Sequence, residues 1–206
     1  MATVRIESES MPAPEVGPVW WELLSSADGV GLISLEVGPE APDLPLLREL
    51  LRLLDEAGVA KRLIVRLKKV DPSDPEKTGE LIRGVLDALR ASPLPQYEWK
   101  AMVELFGVAE LGILLNISDS SLNRYANGSR ATPDLIAERL HFIALVVGDL
   151  RGAYNEVGVR RWWHRTRFAL DGCAPATLLL DNWTPDDPGP RAISELAHSL
   201  LFATAT

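Results

Sequence analysis

The sequence predicts an α+β protein in which a small N-terminal α/β unit precedes a mostly α-helical part. Up to residue 92, segments with the apolar spacing of strands alternate with segments that have the spacing of helices. The segment "SPLPQ" at 92–96 contains two prolines, which disfavour both helix and sheet and so mark a boundary. Beyond it the helical patterns dominate. At 206 residues the chain is long enough for two small domains.

The N-terminal unit, residues 1–92, has two strand-like and two helical segments. "GLISLEV" places Ile33, Leu35 and Val37 on one face at a period of two, and "RLIVRLKKV" is also strand-like. "DLPLLRELLRLLDEAG" predicts a helix that Asp43 caps and that ends near Gly58, and "PEKTGELIRGVLDALRAS" predicts a second amphipathic helix. Because this unit shows no phosphate loop, metal-ligand spacing or catalytic pair, we expect a scaffolding or dimerisation role.

The longest helical pattern of the second half is "TPDLIAERLHFIALVVGDLRGAY". Thr132 is the expected N-cap and Pro133 the first helical residue. An apolar stripe follows at near-heptad spacing, formed by Ile136, Leu140, Ile143, Val147 and Leu150. The stripe indicates the core of a helical domain, with a dimer seam as the alternative.

Just before this helix, "ELGILLNISDSSLNRYANGSR" at 110–130 has the pattern of a helix-turn-helix. Its first helix needs an apolar inner face and a small residue at the crossing point. Its turn needs a residue that tolerates the left-handed conformation. The second helix then needs a cap and a few apolar anchors. The residues at these positions are, in order, Leu111, Gly112, Leu115, Asn116, Ile117, Ser118, Leu122 and Tyr125.

The same assignment turns a polar set of side chains outward on the second helix. The set is Ser118, Asp119, Ser120, Asn123, Arg124, Asn127 and Arg130. Asn and Arg pair bidentately with adenine and guanine edges in the major groove, and an arginine after the helix can contact a phosphate. These seven residues are therefore the candidate DNA-binding site. The alternative is an ordinary helical hairpin with a solvated face.

The stretch resembles the Xre-type helix-turn-helix, whose usual form runs "LA..LGVS..TLSRY..G". Gly112 and Asn116 stand where that family mostly has alanine and glycine. Further on, "WWHRTRFALDGCAPATLLL" resembles the toxin-binding segment of the Xre/MbcA/ParS antitoxins. The matching residues are Trp162, Leu170, Gly172, Pro175, Leu178 and Leu179, whereas Thr166 replaces the usual proline. The resemblance covers roughly residues 99–206 and implies a RES-domain toxin, which degrades NAD, as partner.

The candidate toxin-binding residues lie in this second segment and comprise Trp162, Trp163, Arg165, Arg167, Gly172 and Pro175. Two adjacent tryptophans are hard to bury together on one helix, so we expect one to face the core and the other a partner. "RRWWHRTR" is locally basic, and Gly172 followed by Pro175 predicts a turn into a short helix. The alternative is a solvated helix face beside a core tryptophan.

Other residue types argue against enzymatic chemistry. His141, His164 and His198 are scattered, and Cys173 is the single cysteine, so neither a catalytic pair nor a metal site is expected. The net charge of −8 argues against a uniformly basic nucleic-acid coat but leaves room for a local DNA-binding face. The first residues lack the apolar core of a signal peptide, and the apolar runs are too short for a membrane span, so a cytoplasmic protein is expected.

The helix-turn-helix pattern predicts a DNA-binding protein, and the resemblance implies an antitoxin that represses its own operon; no cofactor is expected. Residues 96–154 would bind operator DNA, and residues 155–206 would bind the toxin. Assembly as a homodimer, or as a larger hetero-oligomer with the toxin, is expected. Two alternatives stay open: a helix-turn-helix regulator without a toxin partner, and an interaction scaffold that does not bind DNA.

Overall fold

The computed structural model describes residues 16–35, 44–71, 74–179 and 182–203. These ranges contain nine α-helices: α1 (Gly17–Gly29), α2 (Leu44–Glu56), α3 (Lys61–Leu67), α4 (Pro75–Arg90), α5 (Pro95–Leu115), α6 (Asp119–Ala126), α7 (Asp134–Arg151), α8 (Glu156–Trp162) and α9 (Pro188–Ala203). Two short 3₁₀ turns, Phe168–Leu170 and Pro175–Leu178, lie between α8 and α9. The described residues form no β-sheet, so the fold is all-α and the α+β prediction is wrong.

The predicted strand "RLIVRLKKV" is the helix α3 for most of its length. A half-buried strand would bury every second residue, but Val65 is 51% exposed while Ile64 and Leu67 are buried. That spacing of three is helical. The face it buries is set by α4, because Leu63 lies against Gly84 of that helix. The short apolar run alone fits either period, and the contact with α4 selects the helix.

The predicted strand "GLISLEV" is also absent from the described residues. Leu32 and Ile33 are adjacent and both buried, which a period of two does not produce. The backbone N–H of Leu35 donates to the carboxylate of Asp28, so the chain folds back onto the end of α1. Val37 lies outside the described residues.

The two helices predicted for the N-terminal unit are present as α2 and α4, although Asp43 lies outside the described residues. Gly58 follows α2 with a φ of 84°, and Asp74 caps α4 by accepting from the backbone N–H of Lys77. The sequence pattern missed α1, whose buried side chains include Trp20, Leu23 and Leu24. Helix α1 packs on α4, and α3 packs on both α2 and α4.

The chain divides into two compact units, Met1–Ser92 and Pro93–Thr206. The division falls within the proline-containing segment "SPLPQ". In the second unit α5 contacts α6, α7 and α8, while α9 packs along α7. The described residues from 155 to 203 therefore share one core with residues 96–154. Within the described ranges, no helix is both long enough and apolar enough to cross a membrane.

Helix α7 is the central helix of the second unit, and its apolar stripe is buried as expected. Its N-cap is Pro133, one residue later than predicted, and Pro133 offers no capping side chain. Thr132, the expected cap, instead accepts a hydrogen bond of 2.9 Å from the indole N–H of Trp99. The helix start is thus set by a contact to α5.

Candidate functional site

The helix-turn-helix is formed by the end of α5, a short turn and α6. Asn116 ends α5 in the left-handed conformation, with φ 55° and ψ 51°. The backbone N–H of Ile117 donates to the carbonyl of Gly112 at 3.0 Å. A Cβ on Gly112 would lie only 3.1 Å from the carbonyl oxygen of Ile117, so a small residue is needed where the chain crosses. Ser118 then caps α6 by accepting from the backbone N–H of Ser121.

Apolar side chains fix α6 against the rest of the unit. Leu111, Leu115 and Leu122 are fully buried. Tyr125 is also buried and stacks on Trp99 of α5, with ring centroids 6.2 Å apart. Ile117, the expected core residue after the turn, is half-buried. These contacts define which face of α6 points inward.

The seven candidate DNA-binding residues all lie on the exposed face. Ser118, Asp119, Ser120, Asn123, Arg124, Asn127 and Arg130 are each exposed in the second unit. The structure thus brings the candidate set together on one surface segment. We call α6, with these residues, the recognition helix.

Several of these side chains also have local hydrogen-bond partners. Nε of Arg124 donates to the carbonyl of Ser120, which directs the arginine along its own helix. The side-chain oxygen of Asn127 accepts from the backbone N–H of Ser129, and the guanidinium of Arg130 lies 5.7 Å from the ring centroid of Tyr125. The exposed face is therefore partly pre-ordered, which lowers the entropy lost when a ligand binds.

Two buried residues that the sequence analysis missed hold the end of α5. Nε of Arg139 donates to the carbonyl of Trp183, and its Nη1 donates to the carbonyl of Leu115. The indole N–H of Trp183 donates to the carbonyl of Leu114 at 3.1 Å. Burial lowers the pKa of Arg139. These bonds satisfy carbonyls in the last turn of α5 that have no partner within the helix.

A sequence signal for Arg139 does exist. It is three residues after Ile136 and four before Ile143, so it falls on the buried stripe of α7, where a charged residue needs partners. Trp183 has no comparable signal, because it lies in the polar segment "DNWTPDDPGP".

The two tryptophans of the second candidate set are both buried, at 1% and 0% exposure. The expectation that one of them faces outward is wrong for the described structure. Helix α8 ends at Trp162, so Trp163 already lies in the following turn. Trp163 contacts Trp162 edge-on, with centroids 5.5 Å apart, and contacts Phe106 of α5 at 6.2 Å. Both rings are therefore part of the core.

The chain after α8 makes a tight turn, residues 167–173, which we call the Phe168 turn. The N–H of Arg167 donates to the carbonyl of Cys173, and the N–H of Gly172 donates back to the carbonyl of Arg167. Gly172 has a φ of 78°, and Pro175 is buried and begins the short 3₁₀ turn that the sequence predicts. The guanidinium of Arg167 lies 5.2 Å from the ring centroid of Trp162.

The exposed side chains of this region differ from those expected. Arg165 is exposed, whereas Arg167 is half-buried on Trp162. Phe168, which the sequence analysis did not select, is 101% exposed. Sequence spacing alone does not distinguish Phe168 from Leu170. The turn at Gly172 decides that Leu170 faces the core.

The remaining candidates for chemistry are separate from one another. Nδ1 of His141 lies 2.5 Å from Oε1 of Glu98, and both residues are buried. His164 contacts Glu110 on the surface at 2.9 Å. Among the described residues, no group of three or more His, Cys, Asp or Glu side chains is arranged to hold a metal ion. Comparison of the chain with protein-family models, curated proteins and solved structures finds no match.

Proposed function

We propose that this chain is a DNA-binding antitoxin that represses its own operon. The observation that carries the DNA-binding part is the division of α6 into two faces. Leu122 and Tyr125 fix its inner face, and all seven candidate DNA-binding residues are exposed on the outside. A polar helix held rigidly at the surface after a tight turn is suited to the major groove.

In the proposed complex, Asn123 and Arg124 contact base edges, since amide and guanidinium groups pair bidentately with adenine and guanine. Arg130 and the N-terminal end of α6, which Ser118 caps, contact phosphates. Repression follows because the protein occupies the promoter. Dimerisation through residues 1–92 would place two recognition helices on two half-sites.

The toxin part of the proposal rests on the resemblance of residues 99–206 to the Xre/MbcA/ParS antitoxins. The partner is then a RES-domain toxin, and the chain neutralises it by binding and has no enzymatic activity of its own. Neither activity calls for a cofactor. A cytoplasmic location follows from the same proposal, because both the DNA and the NAD that the toxin degrades are found there.

The DNA-binding proposal is tested by titrating the full chain onto DNA from upstream of its own reading frame, with unrelated DNA of equal length as control. We expect a preference of about 1,000-fold or more for the upstream DNA. Affinity should fall as salt rises, because each arginine at a phosphate displaces counterions. Equal affinity for both DNAs would contradict recognition of an operator, and no binding even at low salt would favour the scaffold alternative.

A second candidate function is a helix-turn-helix regulator without a toxin partner. The burial of both Trp162 and Trp163 favours it, since one of the two is expected to face the toxin. Growth of cells that co-express this chain with the RES-domain protein of a neighbouring reading frame separates the two functions. Rescue of growth supports the antitoxin function. If cells that contain the folded chain are not rescued, the regulator without a toxin partner is supported.

A further inference from the structure

The Phe168 turn presents an aromatic side chain to solvent. Phe168 is 101% exposed, although Leu170, two residues later, is 4% exposed. Burial of a large aromatic ring that is fully exposed to water is favourable. Aromatic residues are enriched at protein–protein interfaces relative to the rest of the surface, so this ring is a candidate for a partner contact.

Hydrogen bonds within the Phe168 turn fix the backbone around Phe168. Within the turn, the N–H of Asp171 donates to the carbonyl of Phe168, and the N–H of Cys173 donates to the carbonyl of Leu170. The preceding residue, Arg167, places its guanidinium over the ring of the buried Trp162. A phenylalanine side chain has only two torsion angles, so it loses little conformational entropy when it binds.

The surroundings of Phe168 in the chain are basic. Four arginines occur between residues 160 and 167, and there is no acidic residue between Glu156 and Asp171. Arg161 and Arg165 are exposed. In a protein with a net charge of −8, this local excess of positive charge favours an acidic partner surface.

We propose that Phe168 is the aromatic anchor of the toxin contact, and that it inserts into an apolar pocket ringed by carboxylates on the RES-domain toxin. The inference rests on the proposed antitoxin function. In it Phe168 is the exposed aromatic residue of the site, because Trp162 and Trp163 are both buried. A single ring buries too little apolar area for stable membrane binding. Single-stranded nucleic acid binding uses several stacking rings, whereas Trp162 and Trp163 are buried.

The experiment measures the affinity of the purified full chain for the RES-domain protein of the neighbouring reading frame, by calorimetry. Phe168→Ala should weaken binding at least about 30-fold, the effect typical of a central aromatic contact. Arg165→Glu should also bind more weakly than the unchanged chain, and this difference should grow as the salt concentration falls, because the new carboxylate repels the acidic rim of the pocket. Val65→Ala is the matched control, since Val65 is 51% exposed on α3 of the first unit, and this variant should bind the toxin as tightly as the unchanged chain does.

Each outcome bears on one proposal or the other. If the unchanged chain binds the toxin and Phe168→Ala binds within about twofold, the anchor is wrong and the antitoxin function stands. If the unchanged chain does not bind, the antitoxin function fails and the anchor fails with it. Affinity of the unchanged chain for anionic vesicles or single-stranded DNA that Phe168→Ala removes would also overturn the toxin as occupant. Phe168→Ala should keep the DNA affinity of the unchanged chain, which confirms its fold.

Discussion

Gly107 holds a backbone conformation that almost no other residue adopts. It interrupts α5 with φ 72° and ψ 169°, a region open essentially to glycine alone. A Cβ there would meet no atom within 4 Å, so the requirement concerns conformation and not space. The break is also supported from outside, because Nη1 of Arg160 donates to the carbonyl of Leu105. Gly107 thus sets the direction of the first helix of the helix-turn-helix.

Replacing Gly107 by alanine should lower the free energy of unfolding by about 1–3 kcal/mol, because alanine is strained at these angles. Denaturant unfolding followed by circular dichroism measures the change. Gly79→Ala is the matched control, since Gly79 lies inside α4 with open space around it and should become more stable by about 0.5–1 kcal/mol. Equal stability of Gly107→Ala and the unchanged chain would mean that the break is not required.

The exposure of individual side chains on the recognition helix could be predicted from the sequence, but the exposure of those in the second candidate site could not. On α6 the buried anchors Leu122 and Tyr125 are three residues apart. This spacing determines on which face of the helix each of the remaining residues lies. Around Trp162 the helix ends, so no periodicity applies to Trp163 or Phe168. The burial of Trp163 depends on its contact with Phe106 of α5, and the position of Phe168 depends on the hydrogen bonds of the Phe168 turn.

Helix α5 depends on other elements for its last turn. Arg139 of α7 and Trp183 of the segment before α9 both donate to its final carbonyls, at Leu115 and Leu114. These groups would otherwise be buried without partners. The turn into α6 begins directly after them, so the position of the recognition helix depends on both donors.

Arg139→Met should therefore lower the free energy of unfolding by about 2 kcal/mol or more, because the carbonyls of Leu115 and Trp183 lose their donor. DNA affinity should fall as well, since the start of α6 is less well fixed. Lys100→Met is the control, because Lys100 lies on α5, the helix that Arg139 contacts, but its side chain is exposed. Chemical unfolding and a gel-shift titration check the two effects. A fully stable Arg139→Met variant would show that the bonds contribute little.

At the level of elements, the helices α2, α4 and α7 were predicted correctly, whereas α1 was missed and α3 was predicted as a strand. Helices α4 and α7 have enough turns for their apolar spacing to indicate a helix. The seven residues of α3 fit both a strand and a helix, and only packing on α4 decides between them. The two wrong strands produced the wrong fold class. The helix-turn-helix could be predicted because its turn requires particular residues as well as a period.

For the whole molecule, the boundary between Ser92 and Pro93 separates two sets of internal contacts. Each set includes its own buried leucines and tryptophans. The proposed division of labour gives dimerisation to the first unit and both binding activities to the second.

A chain that begins at Pro93 should fold independently and show a helical circular dichroism spectrum with a cooperative thermal transition. If residues 1–92 carry the dimer contact, the truncated chain should be a monomer where the full chain is a dimer. Light scattering measures both masses. The same oligomeric state for the two chains would remove the dimerisation role from the first unit.

The central claim is that the exposed face of α6 binds DNA. Its most direct test compares the unchanged chain with the double variant Asn123→Ala and Arg124→Ala in a titration onto the upstream DNA. Both side chains are exposed, so the variant should keep its stability. Each lost base contact should remove about 1–3 kcal/mol of discrimination, so preference for the upstream DNA should fall by about 30-fold to about 20,000-fold. An unchanged preference in the folded variant would contradict the assignment of α6 as the recognition helix.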